Sequence, residues 1–116
     1  KGIKIALVTN NSQRSVSFLL EKFNLEFDYI ISREQGLWKP SGAPFQAVLE
    51  KLGLEKEECC VVGDSHFDIK AAEETGIPNV FILNEDKERF ASMNAEVFSS
   101  VEELMKRIER LLEKGE

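Results

Sequence analysis

Val61 to Ile77 read VVGDSHFDIKAAEETGI. The apolar run Cys59 to Val62 ends at Gly63, and the polar string Asp64-Ser65-His66-Phe67-Asp68 follows at once. A short apolar run bounded by glycine predicts a strand. The residues from about Ser65 to Thr75 predict a helix, stopped by Gly76 and Pro78. Asp64 therefore leaves the strand at its carboxyl end. Asp68 comes one helical turn later, so both carboxylates can face one crevice. Hard carboxylate oxygens without His or Cys partners suit Mg²⁺ rather than zinc. The plain alternative is a helix start in which Ser65 and Asp68 form a capping box.

Working outward, strands and helices alternate. Ile3 to Thr9 (IKIALVT) is a near-continuous apolar run, as expected of a strand buried on both faces. Ser12 is placed to cap a helix carrying Val16, Leu19, Leu20 and Phe23 at helical spacing. Tyr29 to Ile31 predict a short strand, and Gly36 to Gly42 a loop. Pro44 suits the first turn of a second helix, with Phe45, Val48, Leu49 and Leu52 on its stripe and Gly53 at its end. Val80 to Leu83 predict a fourth strand, Asp86 to Ala91 a helical turn, and Ala95 to Phe98 a last small strand. Ser99 or Ser100 starts the final helix, whose stripe is Val101, Leu104, Ile108, Leu111 and Leu112.

This alternation predicts an α/β fold, a parallel sheet with helices on both faces and right-handed crossovers. Ligands bind such sheets beyond the carboxyl ends of the strands. Three strand ends there are polar. The first gives Thr9-Asn10-Asn11-Ser12, where a hydroxyl precedes the free N–H groups of a helix start and so offers an anion site. Ordinary helix capping by the same string is the alternative. The loop after the second strand carries Trp38-Lys39-Pro40, and Pro40 restricts the backbone of Lys39 to extended conformations. Lys39 can neutralise a phosphate or carboxylate there, or stand as a solvated surface lysine. The third end carries Asp64 and Asp68. Hydroxyl, lysine and carboxylates together supply what phosphoryl transfer needs: hydrogen bonds to phosphate oxygens, positive charge and a metal ion.

The 116 residues make 13.2 kDa, a single domain over 1–116. Hydrophobic residues at 42% and charged residues at 31% exclude disorder, collagen and coiled coil. A net charge of −6 argues against nucleic acid or an anionic membrane as partner. No apolar run exceeds four residues, so no membrane-spanning segment is expected. Cys59 and Cys60 are adjacent, point to opposite faces if on a strand, and are not spaced as zinc ligands. They are expected as small packing residues in a reducing cytoplasm. Phe67 is expected in the core, and His66 and Trp38 as half-exposed loop residues, with a contact to substrate or a cap as the alternative.

LVTNNS (Leu7 to Ser12), WKPSGAPF (Trp38 to Phe45) and VVGDSHFDIKAAEETGI, in this order, resemble the haloacid dehalogenase-like hydrolases. The last motif, with the tail AEVFSSVEEL from Ala95 to Leu104, resembles their phosphoglycolate phosphatase-like branch. The resemblance implies a three-layer α/β/α Rossmann-like core and a Mg²⁺-dependent phosphatase of small phosphorylated metabolites. By resemblance, Thr9 binds the transferring phosphoryl group with the Asn10 backbone N–H, and Lys39 holds phosphate and nucleophile charge. Asp64 ligates Mg²⁺, and Asp68 supports Lys39 or the metal.

One family element is missing. Its first motif, Asp-x-Asp on the central strand, supplies the nucleophile that forms an aspartyl-phosphate and the general acid/base. This chain has no acidic residue before Glu21. The central strand, between those expected at Ile3–Thr9 and Cys59–Val62, is missing with it. Unpaired inner edges and bare helix faces are expected, along with no turnover by this chain alone. The expectation is a C-terminal part of a longer hydrolase, completed by an N-terminal segment with its cap or by a second chain. A catalytically inactive binding or structural protein is the alternative, and dehalogenase chemistry another. A receiver domain is disfavoured because Thr9 and Lys39 precede the acids, and no phosphate-loop, dinucleotide or nucleophile-elbow pattern is present. Lys39, as a loop lysine, is expected to contribute little to stability.

Overall fold

Strands β1 (Ala6–Val8) and β2 (Tyr29–Ile31) run parallel, with Ala6 opposite Tyr29 and Val8 opposite Ile31. Helix α1 (Gln13–Phe23) connects them. The computed structural model describes residues 3–39 and 41–114. Lys1 and Pro40, with the backbone restriction expected from Pro40, lie outside the described residues. A second parallel sheet has the order β3-β4-β5: Cys60–Gly63, Asn79–Leu83 and Glu96–Phe98. Among the described residues β1 pairs only with β2, and β3 is an edge strand paired with β4. As expected for a sheet that lacks its central strand, the described residues form two parallel sheets with no ladder between β1 and β3.

Helix boundaries follow local chemistry. Ser12 caps α1, accepting from the Ser15 N–H at 3.2 Å. The helix ends at Asn24 in the left-handed region (φ 55°), which a short polar side chain tolerates. Helix α2 (Ala43–Leu52) has Pro44 in its first turn, where a missing N–H costs nothing. Helix α3 (His66–Thr75) is capped by Ser65, which accepts from the Phe67 N–H at 3.2 Å, with Asp68 completing the capping box. Gly76 (φ 86°) ends it, and a Cβ there would also meet the Lys56 side chain. Helix α4 is Val101–Lys114, and Ser100 is the serine that caps it, accepting from the Glu103 N–H at 3.2 Å. Short 3-10 turns at Arg33–Gln35 and Lys56–Glu58 had no sequence expectation, whereas Lys87–Phe90 forms the expected turn.

Helices α2 and α3 pack on each other; α2 also covers β1 and β2, α3 covers β3, and α4 lies against β4 and β5. The core gathers Ile69, Ala71, Ala72, Val80, Ile82 and Phe90. Arg107 ties α4 to β5 through paired bonds to Glu96 at 2.9 and 3.1 Å.

Several expectations are corrected. The first strand is Ala6–Val8 rather than Ile3–Thr9, and Ile5 is 54% exposed rather than buried on both faces. On β3, Val61 packs against the core, whereas Cys60 is exposed and Val62 is 51% exposed. A strand with one covered face and one free edge alternates in burial where a central parallel strand would not. Phe67 is 46% exposed, not core, because it leaves the first turn of α3 away from the sheet and stacks edge-on against His66. Cys59 packs against the core as expected, whereas Cys60 does not; both thiols are free. On α1 only Val16 of its apolar stripe is buried, and Val101 and Leu112 of the α4 stripe are exposed.

Candidate active site

The carboxyl ends of β1 and β3 meet through a lysine. Lys39 Nζ lies 2.6 Å from Asp68 Oδ1, with side chains only 17% and 6% exposed. The other oxygen of Asp68 accepts from the Asp64 N–H at 3.1 Å, the Ser65 N–H at 3.2 Å and the Ser65 hydroxyl at 3.4 Å. The two oxygens of Asp68 are thus engaged differently. One oxygen caps the helix, and the other pairs with Lys39.

Gly63 makes this possible. A Cβ on Gly63 would fall inside the Asp68 carboxyl group. The carboxylate therefore lies directly over the strand end, where a larger residue would exclude it.

Asp64 is exposed, and its carboxylate has no hydrogen-bond partner among the described residues. Its backbone oxygen accepts from Asn84 Nδ2 at 3.1 Å, which ties the end of β3 to the end of β4. It borders an open cleft of about 410 Å³ with Asn84, Glu85 and Ser99. No group of three or more His, Cys, Asp or Glu side chains stands together among the described residues. A free, hard, exposed carboxylate suits Mg²⁺, which keeps waters and borrows substrate oxygens instead of needing an all-protein cage.

Thr9 extends the ladder beyond β1, its N–H donating to Ile31 O at 3.0 Å. Its hydroxyl oxygen accepts from the Asn11 N–H at 3.1 Å, leaving the hydroxyl hydrogen to donate elsewhere. Ser12, not Thr9, is the helix cap. Asn10 lies beside Lys39: its side-chain amide bonds the Lys39 backbone. Thr9, Asn10, Lys39 and Asp68 are therefore linked in a chain of neighbours, with Asp64 at its far end. Trp38 is exposed and donates its indole N–H to Arg33 O at 2.9 Å, so its ring braces the loop from outside. His66 is half-buried against Phe67.

Sequence reasoning also missed supports around the site. Glu74 accepts from the Gly42 N–H at 2.6 Å, so the C-terminal end of α3 anchors the end of the lysine loop. Arg33 donates from Nε to Asn10 O at 3.2 Å. Glu34 accepts from the Gln13 N–H at 2.8 Å, which holds its carboxyl below the usual glutamate range. Each joins residues far apart in sequence, and only the exposed polar character of the residues hints at them.

Residues 1–82 match the family described as haloacid dehalogenase-like hydrolase. Phosphoglycolate phosphatase of Rhodospirillum rubrum is 31% identical over 99 residues, 82% of this chain and 41% of that protein. Phosphoglycolate phosphatase of Aquifex aeolicus is 36% identical over 86 residues, 72% of this chain and 40% of that protein. The chain thus spans about two fifths of the length of these curated relatives. A Thermotoga maritima crystal structure, provisionally named a beta-phosphoglucomutase, superposes with a TM-score of 0.80 at 29% identity, covering 93% of this chain and 53% of that one. With its Rossmann-like α/β fold, its motifs in order and these relatives, the chain belongs to the haloacid dehalogenase-like hydrolases, in the phosphoglycolate phosphatase-like branch.

Proposed function

We propose that this chain supplies the phosphate-, lysine- and magnesium-binding strand ends of a phosphatase for small phosphorylated metabolites that works through an aspartyl-phosphate. The nucleophilic Asp would come from a segment outside these 116 residues, of the same protein or a second chain, adding a strand between β1 and β3. The observation that carries the reading is the Lys39–Asp68 pair at 2.6 Å, which holds a nearly buried cation where the ends of the two sheets meet.

The roles follow from the atoms. The Thr9 hydroxyl hydrogen and the Asn10 N–H would donate to phosphate oxygens. The Lys39 ammonium, with three donors and one used on Asp68, would spread charge over the phosphate and the attacking carboxylate. Asp64 would hold Mg²⁺, which when bound neutralises phosphate charge and orients the leaving oxygen. Asp68 would act through Lys39, its oxygens being engaged already. The free thiols suit a reducing cytoplasm, and among the described residues no helix is long and apolar enough to cross a membrane.

The test measures Mg²⁺-dependent hydrolysis of p-nitrophenyl phosphate by the chain alone and joined to an upstream Asp-x-Asp segment. Turnover only in the joined protein, lost on Asp64→Asn, is expected. Turnover by the chain alone that survives Lys39→Ala would overturn the reading.

A further inference from the structure

We infer that the side-chain amide of Asn10 is a positioning device for Lys39, separate from any contact of its backbone with phosphate. The inference rests on the functional reading above and gives a second role to a residue already in it. Asn10 Nδ2 donates to Lys39 O at 3.2 Å, and the Lys39 N–H donates to Asn10 Oδ1 at 3.3 Å. One side chain thus takes both backbone polar groups of the lysine, across 29 positions of sequence. Only a carboxamide offers donor and acceptor side by side in this way without charge.

The amide is itself held in place. The backbone oxygen of Asn10 accepts from Arg33 Nε at 3.2 Å, and Arg33 N–H donates to Asn11 O at 2.8 Å. Arg33 O takes the Trp38 indole N–H at 2.9 Å. The residue before Lys39 and the strand end that bears Asn10 therefore share one support.

The consequence concerns reach. A lysine head sits on a four-carbon stem with many rotamers, so its location is only as well defined as its backbone and its partner. Asp68 fixes the head and Asn10 fixes the base. The Thr9 hydroxyl lies on the residue next to Asn10. The clamp therefore sets the separation between the hydroxyl and the ammonium that would share one phosphate group, a geometric requirement to which phosphoryl transfer is sensitive.

The test uses the 116-residue chain, with orthophosphate as probe and hydrogen exchange at individual amides as a readout independent of activity. Asn10→Ala is expected to lower protection of the Lys39 amide about tenfold or more and to weaken orthophosphate binding about tenfold, while β1 and β2 amides stay protected. Asn10→Asp, which keeps the acceptor but loses the donor, is expected to keep Lys39 amide protection and still weaken orthophosphate binding. Unchanged Lys39 protection in Asn10→Ala would overturn the inference, as would loss spread evenly over β1 and β2, which marks general loosening. Should the unsubstituted chain fail to bind orthophosphate, the functional reading falls, and the inference with it.

Discussion

Lys39 Nζ and Asp68 Oδ1 are 2.6 Å apart, and they come from opposite sides of the break between the two sheets. The lysine follows β2 in the first sheet, and the aspartate opens the helix after β3 in the second. The pair is thus a structural tie as well as part of the proposed site.

The expectation that Lys39 contributes little to stability is revised accordingly. Lys39→Ala leaves a nearly buried carboxylate without its cation, although Asp68 Oδ2 keeps its donors. A loss of about 1–3 kcal/mol is expected. Urea unfolding of Lys39→Ala, Asp68→Asn and the double variant measures it, and strictly additive losses would show that the pair is not coupled.

Gly63→Ala is expected to destabilise the chain by about 1–3 kcal/mol and to weaken orthophosphate binding, because the new methyl displaces the Asp68 carboxyl group. Gly36→Ala, at φ 73° where a Cβ meets nothing within 4 Å, is the comparison for a glycine change away from Asp68. Equal orthophosphate affinity in the two variants would remove Gly63 from the site.

Asp64→Asn is expected to leave stability within about 0.5 kcal/mol, since the side chain is exposed and unpartnered among the described residues. In a protein completed by the nucleophile segment it is expected to lower the rate by orders of magnitude and to abolish the response to Mg²⁺. A magnesium titration of both proteins checks it.

Acid sensitivity should include Glu34. Its carboxyl is held below the ordinary value of 4.5, chiefly by the Gln13 N–H. A lowered value means the folded state binds this proton less readily than the unfolded state. The contribution is therefore present above pH 4.5 and is lost as pH falls through the lowered value. Glu34→Gln should flatten the stability curve over that interval, and identical acid slopes in the two proteins would argue against this.

Much of the fold was legible because its signals are local. Ser12, Ser65, Pro44, Gly53 and Gly76 mark helix ends within a few residues, and Tyr29–Ile31 was read to the residue. IKIALVT suggests a longer strand than Ala6–Val8 because such a run is buried only if neighbours cover it, and neighbours are not written in a seven-residue run. Phe67 and Val62 misled in the same way: their apolar character is local, but their exposure depends on what packs beside β3 and α3. At the site, Thr9, Lys39, Asp64 and Asp68 stood out by residue type and order at strand ends. The Asn10 clamp, the Asn84 tie and the Glu74 anchor did not, because each spans 20 or more positions and exists only once the chain has folded.

The strand pairings carry a kinetic consequence. Among the described residues every pairing joins consecutive strands, Ala6 to Tyr29, Cys60 to Asn79 and Phe81 to Glu96, so each sheet can assemble from neighbouring segments. The halves are joined by one shared core, in which Phe45 and Val8 meet Ile69 and Val80, by the packing of α2 on α3, the Gly42–Glu74 bond and the Lys39–Asp68 pair. Candidate catalytic groups therefore sit on the seam between the two sheets. The site is therefore complete only when both sheets are docked, so loosening of the contacts between them is expected to disperse the site before it unravels either sheet.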